Sequence, residues 1–335
     1  MLALEGLEVR YATRQGEARA VDRVSLALAE GECLGLVGES GCGKSTIARA
    51  VMGILPPNGR IAAGRIRFRG QDLATLDPER SRELRGRRMA LVPQSAMNAF
   101  DPVYTVRAQL DEAILAHGAM AAPARAERIA ALFARVGLEI ARLDDYPHQF
   151  SGGMRQRAMI AMAMALDPDL IVADEPTTGL DVVVQDQILQ HIRSLHREQR
   201  KTMLLITHDM AVVAENCDRI AVMYGGRAVE TGDRAVFERP LHPYTLGLCN
   251  AFPDLDDGGR ALISIPGAPP DLVTPPAGCR FAPRCPFAEN HCSEAEPALL
   301  EVEPGRHAAC HRLDRIEEFR RRARDPDTWQ TERKS

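Results

Sequence analysis

Nine consecutive residues, Gly38-Glu39-Ser40-Gly41-Cys42-Gly43-Lys44-Ser45-Thr46, constrain this chain more than any other feature, because they fit the spacing G-x-x-x-x-G-K-[ST]. Glycine at Gly38, Gly41 and Gly43 lets the backbone wrap closely around a polyphosphate, with successive N–H groups aimed at its oxygens. Ser40 and Thr46 line the same turn, Lys44 reaches the outer phosphates, and the Ser45 hydroxyl completes a Mg2+ shell. The flanks agree with this reading. An apolar run, Cys33 to Val37, precedes the loop as a buried strand would, and Thr46 to Leu55 follows with helical spacing. The helix N-terminus then lies beneath the phosphates, where its partial positive charge stabilises them. A strand, a glycine loop and a helix in that order predict an α/β fold.

The rest of the chain divides into three stretches. Residues 1 to about 98 read as short strands around the loop: Val21 to Glu30 alternates apolar and polar residues, and Gly64 to Gly70 is strand-like. From about 100 to 166 the pattern is helical, with apolar residues at three-to-four spacing in Val106–His117, Pro123–Val136 and Met154–Leu166. Strands then return. Leu170 to Ala173 and Met203 to Ile206 are continuous apolar runs, as expected of central parallel strands covered on both faces. Val183 to Glu198 between them reads as a crossover helix, which makes a βαβ unit. Arg219 to Thr231 contains Tyr224-Gly225-Gly226, a hairpin turn. After about residue 240 the composition changes: 12 of the 22 prolines fall between Pro240 and Pro304, which disfavours helices and central strands.

Charge and hydropathy narrow the function. A formal net charge of -4 gives no overall electrostatic case for binding nucleic acid. The basic runs Arg80–Arg88 and Arg320–Arg324 read as solvated helix faces rather than docking patches for anionic lipid. The uncharged apolar stretch Ala158–Leu166 is far short of the ~20 residues needed to span a bilayer. The first residues lead directly into strand-like sequence with no basic-then-apolar leader, so the expectation is a cytosolic chain that meets a membrane through partners.

Further motifs follow the loop in order. Leu170-Ile171-Val172-Ala173-Asp174-Glu175 is an apolar strand ending in two carboxylates; Asp174 is placed to help hold Mg2+, and Glu175 to orient or polarise an attacking water. Gln94, just after the run Ala90-Leu91-Val92, is a candidate bridge from the γ-phosphate side of the site, and a further Mg2+ contact, to the helical stretch. His208, at the end of the strand Met203–Thr207, is a candidate hydrogen-bond partner of the same phosphate. Ser151-Gly152-Gly153 opens a helix and makes a second anion site. One nucleotide needs only one phosphate cradle. A second, over a hundred residues away, makes sense if it covers a nucleotide held by another subunit.

This ordered set resembles the ATPase subunits of ABC transporters. The correspondence takes in the Walker A loop at 38–46, Gln94 as the Q-loop residue and Ser151-Gly152-Gly153 as the signature. It continues with Walker B at 170–175, the D-loop Gly179-Leu180-Asp181 and the switch histidine His208, while Tyr11 sits where the family places the ring that stacks on adenine. Met154 replaces the glutamine that often ends the signature, and Cys42 lies within the phosphate loop. The resemblance implies an ABC-type P-loop ATPase core with an antiparallel β subdomain and an inserted helical subdomain. It predicts a nucleotide-binding domain over residues 1–240 and a Pro/Cys-rich extension over 241–335. His242-Pro243-Tyr244-Thr245 and the Cys-rich tail resemble the oligopeptide/dipeptide importer branch, in particular its dipeptide-type D subunits. That branch implies ATP and Mg2+ as ligands, a second homologous ATPase, two transmembrane permeases and an extracytoplasmic solute-binding protein as partners. It also implies a peripheral position on the cytoplasmic face of the bacterial inner membrane. Importers of oligosaccharides, nickel or other small solutes use related ATPases and stand as the alternative.

Eight cysteines fall into two groups. Cys33, Cys42, Cys217 and Cys249 are scattered and read as small buried residues. Cys279, Cys285, Cys292 and Cys310 are spaced C-x5-C-x6-C-x17-C in a segment too rich in proline to fold on a core of its own. In a reducing cytosol metal ligation explains them better than disulfides do. Four thiolates suit tetrahedral zinc or a 4Fe–4S cluster. His291, His307 and His311 are nearby ligands that keep zinc open, while the family resemblance implies the iron–sulfur cluster.

Overall fold

The apolar runs form strands that bury both faces. In chain order the strands are β1 (Leu2–Thr13), β2 (Gly16–Leu28), β3 (Cys33–Val37), β4 (Gly59–Phe68), β5 (Gln71–Asp72), β6 (Met89–Val92), β7 (Leu170–Asp174), β8 (Thr202–Ile206), β9 (Arg219–Tyr224), β10 (Arg227–Gly232), β11 (Leu300–Glu303) and β12 (Arg306–Ala308). They are seen in a computed structural model that describes residues 1–94, 99–251 and 263–330. One sheet has the order β2-β1-β4-β5, and its strand pairs are antiparallel. The other has the order β11-β12-β10-β9-β3-β8-β7-β6. Its β6, β7, β8, β3 and β9 run parallel, and β10, β12 and β11 add antiparallel neighbours at one side.

Side-chain alternation explains why β7 and β8 lack a polar face. Leu170, Val172, Leu204 and Ile206 enter the core shared with the antiparallel sheet, while Ile171, Ala173, Met203 and Leu205 enter the core shared with the helices. The helices are α1 (Lys44–Val51), α2 (Pro78–Arg87), α3 (Val106–Leu115), α4 (Ala122–Arg135), α5 (Gly152–Ala163), α6 (Val182–Arg197), α7 (Met210–Asn216), α8 (Ala235–Glu238), α9 (Pro243–Ala251), α10 (Asn290–Glu294) and α11 (Ile316–Arg322). Helices α3, α4 and α5 bury Leu110, Ile129, Phe133 and Ile160 together, the helical insertion expected over 100–166. No helix among the described residues is long and apolar enough to cross a membrane.

The proline-rich segment borrows its core from the sheet. Strand β12 pairs with β10, matching Glu230 to Ala308 and Thr231 to His307, so the tail continues the main sheet. In a chain with 4% aromatic residues, Tyr224, Tyr244, Phe281, Phe287, Phe319 and Trp329 gather in this one cluster. Phe287 stacks on Phe319 with ring centroids 4.2 Å apart, and Tyr224 lies 4.5 Å from Tyr244. The β9–β10 turn at Gly225-Gly226 has φ of 54° and 84°, a left-handed pair that glycine adopts without strain.

Candidate functional site

Strand β3, between β9 and β8, delivers the phosphate loop to the C-terminal ends of the parallel strands, and α1 carries it away. Backbone sterics fix its glycines. Gly43, the N-cap of α1, has φ 105°, and a Cβ there would lie 2.2 Å from the Ala20 carbonyl oxygen. At Gly38, with φ 147°, a Cβ would lie 2.1 Å from Met223 O. Lys44 is 4% exposed. Its Nζ donates to Gly38 O at 2.7 Å and Glu39 O at 3.0 Å. It also reaches Cys42 Sγ at 3.6 Å; among the described residues no carboxylate lies within ion-pair distance of this ammonium, so the buried cation has no anionic partner there. Such a group gains most from an added anion. Ser40 and Gly41 occupy the same loop, and Thr46 Oγ1 meets the Tyr11 hydroxyl at 3.4 Å, which ties Tyr11 to the loop's helix.

Asp174 and Glu175 end β7 facing different partners. Ser45 Oγ donates to Asp174 Oδ1 at 2.9 Å, so the two oxygens expected around Mg2+ are already neighbours. Burial raises the pKa of Asp174, opposed by the Ser45 hydrogen bond and reinforced by the charge of Glu175. Glu175 has φ 47°, a left-handed conformation that costs a glutamate on the order of 1 kcal/mol. Three side chains converge on its Oε2: Gln94 Nε2 at 3.1 Å, Thr178 Oγ1 at 2.8 Å and His208 Nδ1 at 3.5 Å. The sequence reading missed Thr178. It stands three residues beyond Glu175, within the Thr177-Thr178 pair that follows Pro176.

The second expected anion site stands apart. Ser151 caps α5 by accepting the Met154 N–H at 3.3 Å, with Gly152 and Gly153 as the first helical residues. Asp181 caps α6 by accepting from Val184 N–H at 3.0 Å. Among the described residues no hydrogen bond joins the Ser151–Gly153 turn to the phosphate loop. Beside Asp181, Val182 and Val183 are 79% and 67% exposed.

Cys279, Cys285, Cys292 and Cys310 line one cavity with Phe281, Phe287 and His311. Burial pushes the Cys310 thiol up to about 12 and holds Cys285 well above its ordinary range, and each is raised further by the other cysteines. The expectation of a ready-made ligand set is not met: among the described residues no group of three or more His, Cys, Asp or Glu side chains is gathered so as to hold a metal ion. The cavity holds only about 20 Å³. Uncharged thiols have no mutual attraction to gather them, and they pack against the aromatic core instead. His291 and His311 contact each other edge to face, with His311 Nε2 2.8 Å from Ala295 O. The other cysteines are less scattered than their spacing suggests, since Cys33 Sγ and Cys217 Sγ lie 3.4 Å apart.

Two family models match different parts of the chain. The family described as "ABC transporter" matches residues 21–178, and that described as "Oligopeptide/dipeptide transporter, C-terminal region" matches residues 229–292. The chain is 43% identical over 314 residues to the dipeptide transport ATP-binding protein DppD of Escherichia coli (strain K12), spanning 93% of this chain and 96% of that protein. To the oligopeptide transport ATP-binding protein OppD of the same strain it is 44% identical over 313 residues, 92% of each. Among solved structures, a dimeric ATP-binding cassette in a post-hydrolysis state with ADP and Pi shares the fold. That match has a TM-score of 0.64 and 27% identity, covering 70% of this chain and 99% of that one. The phosphate loop, the paired carboxylates and these full-length matches agree: the chain belongs to the ABC transporter family, as an ATP-binding subunit of its oligopeptide/dipeptide branch.

Proposed function

We propose that the chain is the ATP-hydrolysing subunit of an ABC importer for di- or oligopeptides, working by closure of a head-to-tail ATPase dimer. The observation that carries this is the convergence of Gln94, Thr178 and His208 on Glu175, beside the Ser45–Asp174 pair and the buried Lys44. Lys44 and the loop N–H groups grip the outer phosphates. Ser45, Asp174 and Gln94 would hold Mg2+, which when bound would neutralise charge on the transferring phosphoryl group. Glu175 orients the attacking water and takes its proton, while His208 hydrogen-bonds the γ-phosphate side. Tyr11 would stack on the adenine ring. Ser151, Gly152 and Gly153 with Asp181 cover the nucleotide of a second homologous ATPase. The exposed Val182 and Val183 beside Asp181 support a contact on that face. Two transmembrane permeases and an extracytoplasmic binding protein complete the assembly, with this subunit peripheral on the cytoplasmic face of the bacterial inner membrane.

The four cysteines are read as ligands of a 4Fe–4S cluster, with Zn2+ as the alternative. Their side chains share the lining of one cavity that has no carboxylate in it; the chemistry of four thiols, rather than their present spacing, supports the reading. Bound there, a cluster would cross-link the tail, and loading would require the cavity walls to move apart. The importer reading is tested by uptake of a labelled dipeptide and tripeptide in a deletion strain, complemented with wild type or Glu175→Gln. Uptake restored by wild type alone is the expected result. A deletion with no peptide defect would redirect the substrate to oligosaccharide, nickel or another small solute.

A further inference from the structure

The turn Cys279–Cys285 carries two arginines, each beside a cysteine; Arg284 bonds the phosphate loop itself and Arg280 the neighbouring β9–β10 turn. Arg284 is 8% exposed. Its Nη1 and Nη2 donate to Glu39 Oε2 and Oε1 at 2.7 and 3.0 Å, a two-pronged pair that fixes the guanidinium plane. Its Nε donates to Pro266 O at 2.8 Å, and Nη1 also reaches the Tyr224 hydroxyl at 3.2 Å. Arg280 acts from another side, bonded to Asp22 and to the carbonyl of Gly225. The next residue, Gly226, donates its N–H to Cys42 O at 3.0 Å within the loop.

Glu39 is the residue where these ties meet the nucleotide site. Its carboxylate is held by Arg284, and its N–H donates to the Tyr244 hydroxyl at 2.8 Å. Its carbonyl accepts from Lys44 Nζ at 3.0 Å and from Cys42 N–H at 3.3 Å. One loop residue thus links the C-terminal segment to the lysine that meets the phosphates.

We propose that Arg284 is a positioning residue for the nucleotide, holding the start of the phosphate loop through Glu39. This rests on the ATPase reading of the same loop. Two effects act in one direction. A loop with three glycines has much backbone entropy to lose, so external bracing of Glu39 aims its N–H groups before the ligand arrives. Arg284 also neutralises a carboxylate that would otherwise repel an incoming triphosphate. A role confined to anchoring the tail explains the pair less well. The tail already holds to the sheet through β12 and the aromatic cluster around Phe281 and Phe319.

The test is binding of a fluorescent ATP analogue with Mg2+ by the full-length chain, with KM and kcat for ATP and the nucleotide-free melting temperature measured alongside. Arg284→Ala is expected to weaken binding about tenfold, about 1.4 kcal/mol, and to raise KM with kcat nearly unchanged. Arg284→Lys, which keeps the charge but loses the fork, is expected to restore part of the affinity, and it serves as the readout if the alanine variant does not fold. A lower melting temperature with unchanged affinity in both variants would overturn the proposal. Wild-type chain that does not bind the analogue would overturn the ATPase reading, and this one with it.

Discussion

Nε2 of Gln94 donates to Oε2 of Glu175 at 3.1 Å, across 81 residues of sequence. The bond spans from the end of β6 to the end of β7, two neighbouring parallel strands, so the sheet sets its length. His208 reaches the same oxygen from beyond β8. Glu175 is therefore held from neighbouring strand ends rather than by a free loop, a rigid mount that suits the water-orienting role proposed for it.

Glu175→Gln keeps the size of the side chain and removes its ability to take a proton. Steady turnover should fall by roughly 10²–10⁴-fold while ATP binding persists. With its partners present, the variant should accumulate as a closed, ATP-bound dimer in size-exclusion chromatography. Full turnover in that setting would show that another group accepts the proton.

Lys44→Ala removes a buried ammonium whose bonds run to Gly38 O and Glu39 O. A charge-assisted contact of about 1.5–3 kcal/mol is lost, so ATP affinity should drop roughly ten- to hundredfold. Calorimetric titration with MgATP reads this directly, and retained affinity would remove Lys44 from the phosphate grip.

His242 ties stability to pH. It is 1% exposed, its Nδ1 accepts the Tyr244 N–H at 3.0 Å, and burial lowers its pKa from 6.5 to about 3. Between those values the unfolded chain binds a proton that the folded chain refuses. Its contribution is therefore complete above about pH 6.5 and is lost as pH falls toward 3, by up to about 1.4 kcal/mol per pH unit. Urea unfolding at pH 7, 6 and 5 should show a steeper loss for wild type than for His242→Gln, and parallel profiles would exclude His242 as the source.

Protein purified without oxygen should carry about four iron atoms per chain and absorb visible light. Cys285→Ser should lower the iron content and the melting temperature together, since the cluster would cross-link the tail. Stoichiometric zinc in a colourless protein would instead assign the cysteines to a tetrahedral site.

Much of this was legible because it is written in local patterns. Cys33–Val37 and Leu170–Ala173 are apolar without a break, and the phosphate loop declares itself by glycine spacing. Helix α1 was misjudged at both ends: expected over Thr46–Leu55, it starts at Lys44 and stops at Val51, with Gly53 at φ 64° just beyond. Other features leave no local trace. Glu39 and Arg284 pair across 245 residues, and nothing near either one announces the other. Thr178 is close to its partner in sequence, but its role appears only when the turn after β7 brings its hydroxyl onto Glu175. The proline-rich tail reads as a segment without a core because Tyr224, the aromatic it leans on, belongs to another strand.

That long pairing bears on how the protein is made. The phosphate loop leaves the ribosome before the arginine that braces it, which emerges 245 residues later. At roughly 5–20 residues per second, the interval is on the order of tens of seconds. Through that time the nascent chain carries its loop and lysine without the Arg284 brace, and the loop is steadied only once the segment carrying Arg284 has followed it.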